Sequence, residues 1–181
     1  MDTTEIQAIA EELVIRITVL DQIVFSNDTT HVHTIAFNDK KWGDDTTYAC
    51  YSTEEDYYVV VTRNISRLST VSQERLFGIA AREVRFRVQN KNPNFVISKE
   101  FFIQHSLLKE NVVPKITQEN PGADEKFISS EIDSFVIEEL VRKICRGLSC
   151  EEILENKVED IKNIITCNEG NFLDYFYKYA N

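Results

Sequence analysis

The sequence predicts an α+β fold: a small antiparallel or mixed sheet of about three strands packed on a central helix, followed by a helical C-terminal half. Three observations carry this. Short β-branched and aromatic runs crowd residues 31–62, the clearest being Tyr57-Tyr-Val-Val-Val-Thr62. Residues 72–89 then place apolar side chains at helical spacing. Beyond Pro93, cap signals and helical stripes recur to the end of the chain.

Length and composition set the frame. With 181 residues, 43% hydrophobic and 28% charged, the chain suits one soluble globular domain with its own core. Only 5 Gly and 3 Pro leave little room for linkers, so residues 1–181 read as a single domain. The sheet and central helix occupy 25–92, and the helical half 95–181. Against 20 Lys and Arg stand 30 Asp and Glu, a formal charge of −10. Such a surface repels phosphate backbones and anionic membranes, which argues against nucleic-acid and membrane partners. With no signal-like start and no apolar run of membrane length, the expectation is a cytoplasmic protein whose cysteines (Cys50, Cys145, Cys150 and Cys167) stay reduced. Their spacing offers no zinc knuckle, and the Asn64-Ile-Ser66 sequon is then without consequence.

Residues 4–24 carry two competing periods. Ile6, Ile9, Leu13, Ile17, Leu20 and Val24 recur as on a helix, while Leu13, Ile15, Ile17 and Val19 alternate as on a strand. Length, Glu11-Glu12 and an Ala-rich start favour the helix. Strands are expected at 31–37, 46–52 and 57–62, with a polar loop at 38–45. A tight acidic connection, Thr53-Glu-Glu-Asp56, makes the last two strands a hairpin.

The central helix opens on a Thr70-x-x-Gln73 capping box. Leu76, Phe77, Ala80, Ala81, Val84 and Val88 form its apolar face, with Arg82, Phe86 and Gln89 on an adjoining one. Pro93 ends it. A short helix is expected over 98–109, a loop over 114–124, and a helix capped by Ser130 with Ile132, Phe135, Val136, Leu140 and Ile144 buried. Gly147 stops that helix, and Ser149-x-x-Glu152 caps another carrying Ile153, Leu154, Val158, Ile161 and Ile164-Ile165. Phe172, Tyr175, Phe176 and Tyr179 form an aromatic tail.

The stretch Arg82-Glu83-Val84-Arg85-Phe86 has the frame of His-Glu-x-x-His, in which two histidines four apart hold zinc and the glutamate acts as general base. Further on, Glu131-Ile-Asp-Ser134 opens a later helix. With the strand at 57–62 before them, these segments resemble the zincin-like metallopeptidases over residues 46–146. The resemblance implies that Glu83 stands at the general-base position and Glu131 at a third-ligand position. Arg82 and Phe86 stand where the two histidines belong. A guanidinium and a phenyl ring offer zinc no lone pair. The resemblance therefore implies a degenerate member with no metal and no cofactor, catalytically inactive, that binds a protein or peptide partner or serves as a structural or regulatory subunit. Asp133, Arg85 and Gln89 are expected to line the site. Without zinc, Glu83 and Glu131 face each other uncompensated, and Arg82 is expected to pair with one of them. The plainer reading is an amphipathic helix with Glu83 paired to Arg87 at i+4.

Two alternatives stand beside this. One is an active metal-dependent peptidase with a non-standard zinc site drawn from Glu83, Glu131, His31, His33 or His105; His31-x-His33 would share a strand face. The other is an unrelated α+β protein-interaction domain.

Overall fold

A computed structural model describes residues 1–26, 32–35, 47–68 and 71–179, with 32–35 described by their backbone alone. The mixed α+β architecture is mostly helical. Helix α1 (Thr3–Val24) opens on a capping box: Asp2 accepts from the Glu5 N–H at 2.8 Å, and the Glu5 carboxylate accepts from the Asp2 N–H at 2.9 Å. Ile6, Ala10, Leu13, Ile17 and Leu20 are buried, whereas Ile15 is 51% exposed. The helical period therefore wins over the alternating one.

Strands β2 (Ala49–Ser52) and β3 (Tyr57–Val61) pair antiparallel, with Cys50 opposite Val59 and Tyr51 opposite Tyr58. Their connection turns on Asp56, whose φ of 53° a short polar side chain tolerates. The backbone of β1 (Val32–Ile35) runs parallel to β3 on its other side. The ends of the 31–37 segment, the 38–45 loop and Thr46 lie outside the described residues. A 3-10 segment, Thr62–Arg67, leads from β3 toward the central helix.

That helix, α2 (Gln73–Lys91), begins at Ser72, whose hydroxyl accepts from the Arg75 N–H at 3.2 Å. The expected Thr70 cap is thus displaced by two residues, to a side chain that reaches the first-turn donors; Thr70 itself lies outside the described residues. All six expected apolar residues of α2 are buried. So are Glu83, Arg85, Arg87 and Gln89, because α2 is packed on different sides by α1, β2 and two later helices, α5 (Glu125–Cys145) and α7 (Val158–Ile165). At Gly78, a Cβ would lie 2.5 Å from Cγ of Arg142, so the missing side chain lets that arginine of α5 lie across α2.

The C-terminal half departs from expectation at three places. The segment read as a loop over 114–124 contains α4 (Val112–Glu119), with Val112 and Ile116 buried one turn apart. Pro114 falls in its first turn, where an N–H would have no helical acceptor, so it does not break the helix. Next, α5 (Glu125–Cys145) starts six residues before the expected Glu-x-Asp opening. Asp124 accepts from the Phe127 N–H at 2.8 Å, and Ser130 is internal rather than a cap. Finally, the single helix expected after Ser149 is two: α6 (Cys150–Asn156) and α7 (Val158–Ile165), broken at Lys157. The Ser149–Glu152 capping box is formed. Helix α3 (Lys99–Gln104) fills part of 98–109, and α8 (Phe172–Tyr179) follows the final turn. Phe172 stacks edge-on against Phe102 at 5.2 Å and Phe101 at 6.1 Å, tying α8 to α3.

One buried ion pair joins these parts. Arg85 of α2 donates Nε to Asp133 of α5 at 2.7 Å and Nη2 to the same carboxylate at 2.9 Å. Its remaining N–H groups reach the carbonyls of Ile165, Cys167 and Phe95 at 2.7–2.8 Å. Asp133 also accepts from Gln89 Nε2 and from the Ile97 N–H, at 2.8 and 2.7 Å. Both side chains are fully buried, and every guanidinium donor has an acceptor.

A second arginine, Arg87, pairs with Asp21 of α1 at 3.1 Å and with Asp56 of the hairpin at 2.9 Å, and does not make the i+4 contact to Glu83. Hydrogen bonds from Arg87 above all, and others from Lys91 and Tyr51, hold the Asp56 carboxyl well below the usual carboxylate range despite its partial burial.

Removing one partner of a buried pair leaves an uncompensated charge, so Asp133→Asn is expected to lower unfolding free energy by about 3–5 kcal/mol. The double variant Arg85→Met/Asp133→Leu is expected to remain destabilised. Unlike an isolated ion pair, this one also satisfies four backbone groups that an apolar pair leaves bare. Urea unfolding of both variants checks this.

Candidate functional site

The cleft begins with two helical stripes. On α2, Arg75, Ile79, Arg82 and Phe86 recur at intervals of three and four, and on α5 so do Glu131, Phe135 and Glu138. The two stripes form one wall of a cleft of about 560 Å³. The opposite side is closed by α4, with Val112 and Ile116, and by residues 47–50 at the start of β2.

Glu83 sits at the bottom, 4% exposed, with Oε1 accepting from the Tyr51 N–H at 3.1 Å. The Val61 N–H bonds to the Tyr48 carbonyl, so by antiparallel alternation the Tyr51 N–H points away from β3 and toward α2. The hairpin register thus delivers this donor to Glu83.

Arg82, one residue earlier, donates Nη2 to Glu131 Oε2 at 2.9 Å across the gap between α2 and α5. The guanidinium also lies 5.7 Å from the Phe86 ring centre. Arg82, Glu83, Phe86 and Glu131 are therefore brought together, and the expected pairing of Arg82 is with Glu131.

The other expected lining residues are elsewhere. Arg85, Gln89 and Asp133 lie on adjoining helix faces, buried in the ion-pair network and not on the cleft wall. The physical reason is saturation: Arg85 has no donor left to offer a ligand. His105 caps α3, its Nδ1 2.9 Å from the Phe101 carbonyl and its ring stacked on Phe101 at 4.4 Å, away from the cleft. His31 and the side chain of His33 lie outside the described residues.

Burial above all pushes the Glu83 carboxyl up to about 8; Glu131 and Glu138 add to the shift, and Arg82 opposes it. Glu138 is likewise shifted upward by burial, against the pull of Arg82. Cys50, on the β2 side, has its thiol raised to about 11 by burial and then by Glu83 and Glu131. A thiol held there is protonated at neutral pH and is a poor nucleophile. Glu83 at neutral pH is mainly the carboxylic acid, which suits it poorly to deprotonating a water molecule.

Arg82 and Phe86, which stand where the resemblance expects histidines, carry no ligand atom for zinc. Among the described residues no group of three or more His, Cys, Asp or Glu is arranged to hold a metal ion. All four cysteines are free thiols, and no helix among the described residues is long and apolar enough to cross a membrane.

Cleft residues not anticipated from sequence include Cys50, Arg75, Ile79, Glu138 and the α4 wall with Lys109 and Lys115. A signal for Glu138 was present: it follows Glu131 by seven residues, two turns along one helix face. Comparison with protein-family models, curated proteins and solved structures returned no match to this chain.

The raised Glu83 pKa fixes a sign. Its ordinary value is 4.5 and its folded value about 8, so between these the folded state holds the proton more firmly than the unfolded chain. Stability contributed by this group is present below about 4.5 and declines as pH rises toward 8. Glu83→Gln is expected to flatten that decline in thermal melts across this range, and an unchanged slope would contradict the assignment.

Proposed function

We propose that this chain is a catalytically inactive, zincin-like domain whose cleft holds a segment of a protein or peptide partner. The observation that carries the reading is the 2.9 Å Arg82–Glu131 ion pair. It places a permanent positive charge beside two glutamates, where a zincin would hold its metal, and links the same two helices. The half-buried Phe86 occupies the other ligand position with apolar bulk. A metal-bound water is the nucleophile in that chemistry, so the substitution accounts for inactivity without any change of scaffold.

The acidic composition supports a polypeptide rather than a nucleic-acid partner. A cytoplasmic location and a partner-binding or regulatory role follow as parts of the same proposal. An active metal-dependent peptidase is the competing reading, and an unrelated α+β interaction domain a third.

The double variant Arg82→His/Phe86→His separates them. Both positions are on one helix face, and Glu131 already reaches position 82. The variant is therefore expected to bind one zinc per chain at micromolar concentration, read by calorimetry. A folded double variant that binds none would remove the zincin-like assignment and leave the unrelated interaction domain. Zinc-dependent peptide hydrolysis by the unaltered chain would establish the peptidase instead.

A further inference from the structure

Glu138 is the exception among the buried charges of α2 and α5. It is 7% exposed, yet has neither a hydrogen bond nor an ion pair among the described residues. The other buried Arg, Asp and Glu side chains of these two helices are engaged: Arg85 with Asp133, Arg87 with Asp21 and Asp56, and Glu83 with the Tyr51 N–H. A buried carboxylate without a partner costs several kcal/mol in general, and chains rarely keep one for stability. Glu138 lines the cleft, and its oxygens are not sealed from solvent as the Nε atoms of Arg82 and Arg142 are. The unpaired carboxylate is therefore presented to whatever enters.

The surroundings narrow the occupant. Glu131 and Glu139 lie on the same helix beside it, while Ile79, Phe86, Ile116 and Phe135 give the cleft apolar surface. Arg75, Arg82 and Arg142 lower the Glu138 pKa at a distance, but none forms an ion pair with it. Lys109 and Lys115 line the cleft from α4 and the segment before it, and neither is ion-paired with Glu138. The apolar surface that ends at the unpaired carboxylate complements a side chain with an alkyl stem and a cationic head. The formal charge of −10 favours encounter with such a partner.

We propose that the cleft receives a lysine or arginine side chain of the partner polypeptide, with Glu138 as the acceptor for its cationic head. This rests on the peptide-binding reading and adds the chemistry of the recognised residue.

The test uses the full chain and two capped pentapeptides, alanine throughout except for a central arginine or its neutral isostere citrulline. Binding is followed by NMR shifts of Phe86 and Phe135. The arginine peptide is expected to bind about tenfold or more tighter, the scale of one charge-assisted hydrogen bond. Glu138→Gln is expected to bring the ratio close to one while leaving the melting temperature at pH 7 unchanged or higher, because an unpaired buried charge has been removed. Retention of the ratio in that variant would overturn the role of Glu138. Equal binding of the two peptides to the unaltered chain overturns this inference alone and leaves peptide binding standing. Failure of both peptides to bind overturns both.

Discussion

The Arg85–Asp133 pair holds together parts of the chain that share no continuous segment. Five guanidinium donors and two carboxylate oxygens connect α2, α5, the turn before α3 and the end of α7. Desolvating two charges is costly, and a buried ion pair by itself is weak evidence of stability. Here the accounting differs, because the pair also absorbs backbone carbonyls and an N–H that the packing of four elements would otherwise strand. The hub is as much a backbone-satisfying device as a salt bridge.

This constraint positions the cleft. Arg82 precedes Arg85 by three residues on α2, and Glu131 precedes Asp133 by two on α5, so each helix contributes to the hub and to the cleft from adjoining faces. With α2 and α5 locked in register at Arg85 and Asp133, Arg82 and Glu131 have a defined separation across the gap. The hairpin is fixed independently, by Arg87 to Asp56 and by the Tyr51 N–H on Glu83. Two arginines five and three residues from Arg82 thus hold the walls between which Arg82 bridges. The cleft gathers its acids in a region where burial raises the Glu83 and Glu138 pKa values, while the hub keeps its charges paired.

Much of this was legible in residues and spacing. The buried stripe of α2 followed from its period, the Ser149 capping box from its motif, and the Arg82–Glu131 contact from asking what would neutralise two facing glutamates. What was not legible has physical reasons. A helix packed on several sides has no polar face, so Arg85, expected to line the site, and Arg87, read as an i+4 partner of Glu83, are instead anchors of the core. Asp133 looked like site lining because the sequence places it beside Glu131, but neighbours two apart on a helix point to different faces. Pro114 looked like a loop marker although its first-turn position is compatible with a helix. The start of α5 was misplaced because Asp124 and Ser130 are both competent caps, and only tertiary packing chooses between them.

The central claim is that a protein side chain, Arg82, occupies the role a metal would hold between α2 and α5. Metal analysis of the purified, unaltered chain after equilibration with excess zinc and removal of the unbound ion tests this most directly. The account predicts zinc far below one equivalent and no change in melting temperature on chelation. One tightly held zinc per chain, lost on chelation together with stability, would contradict it.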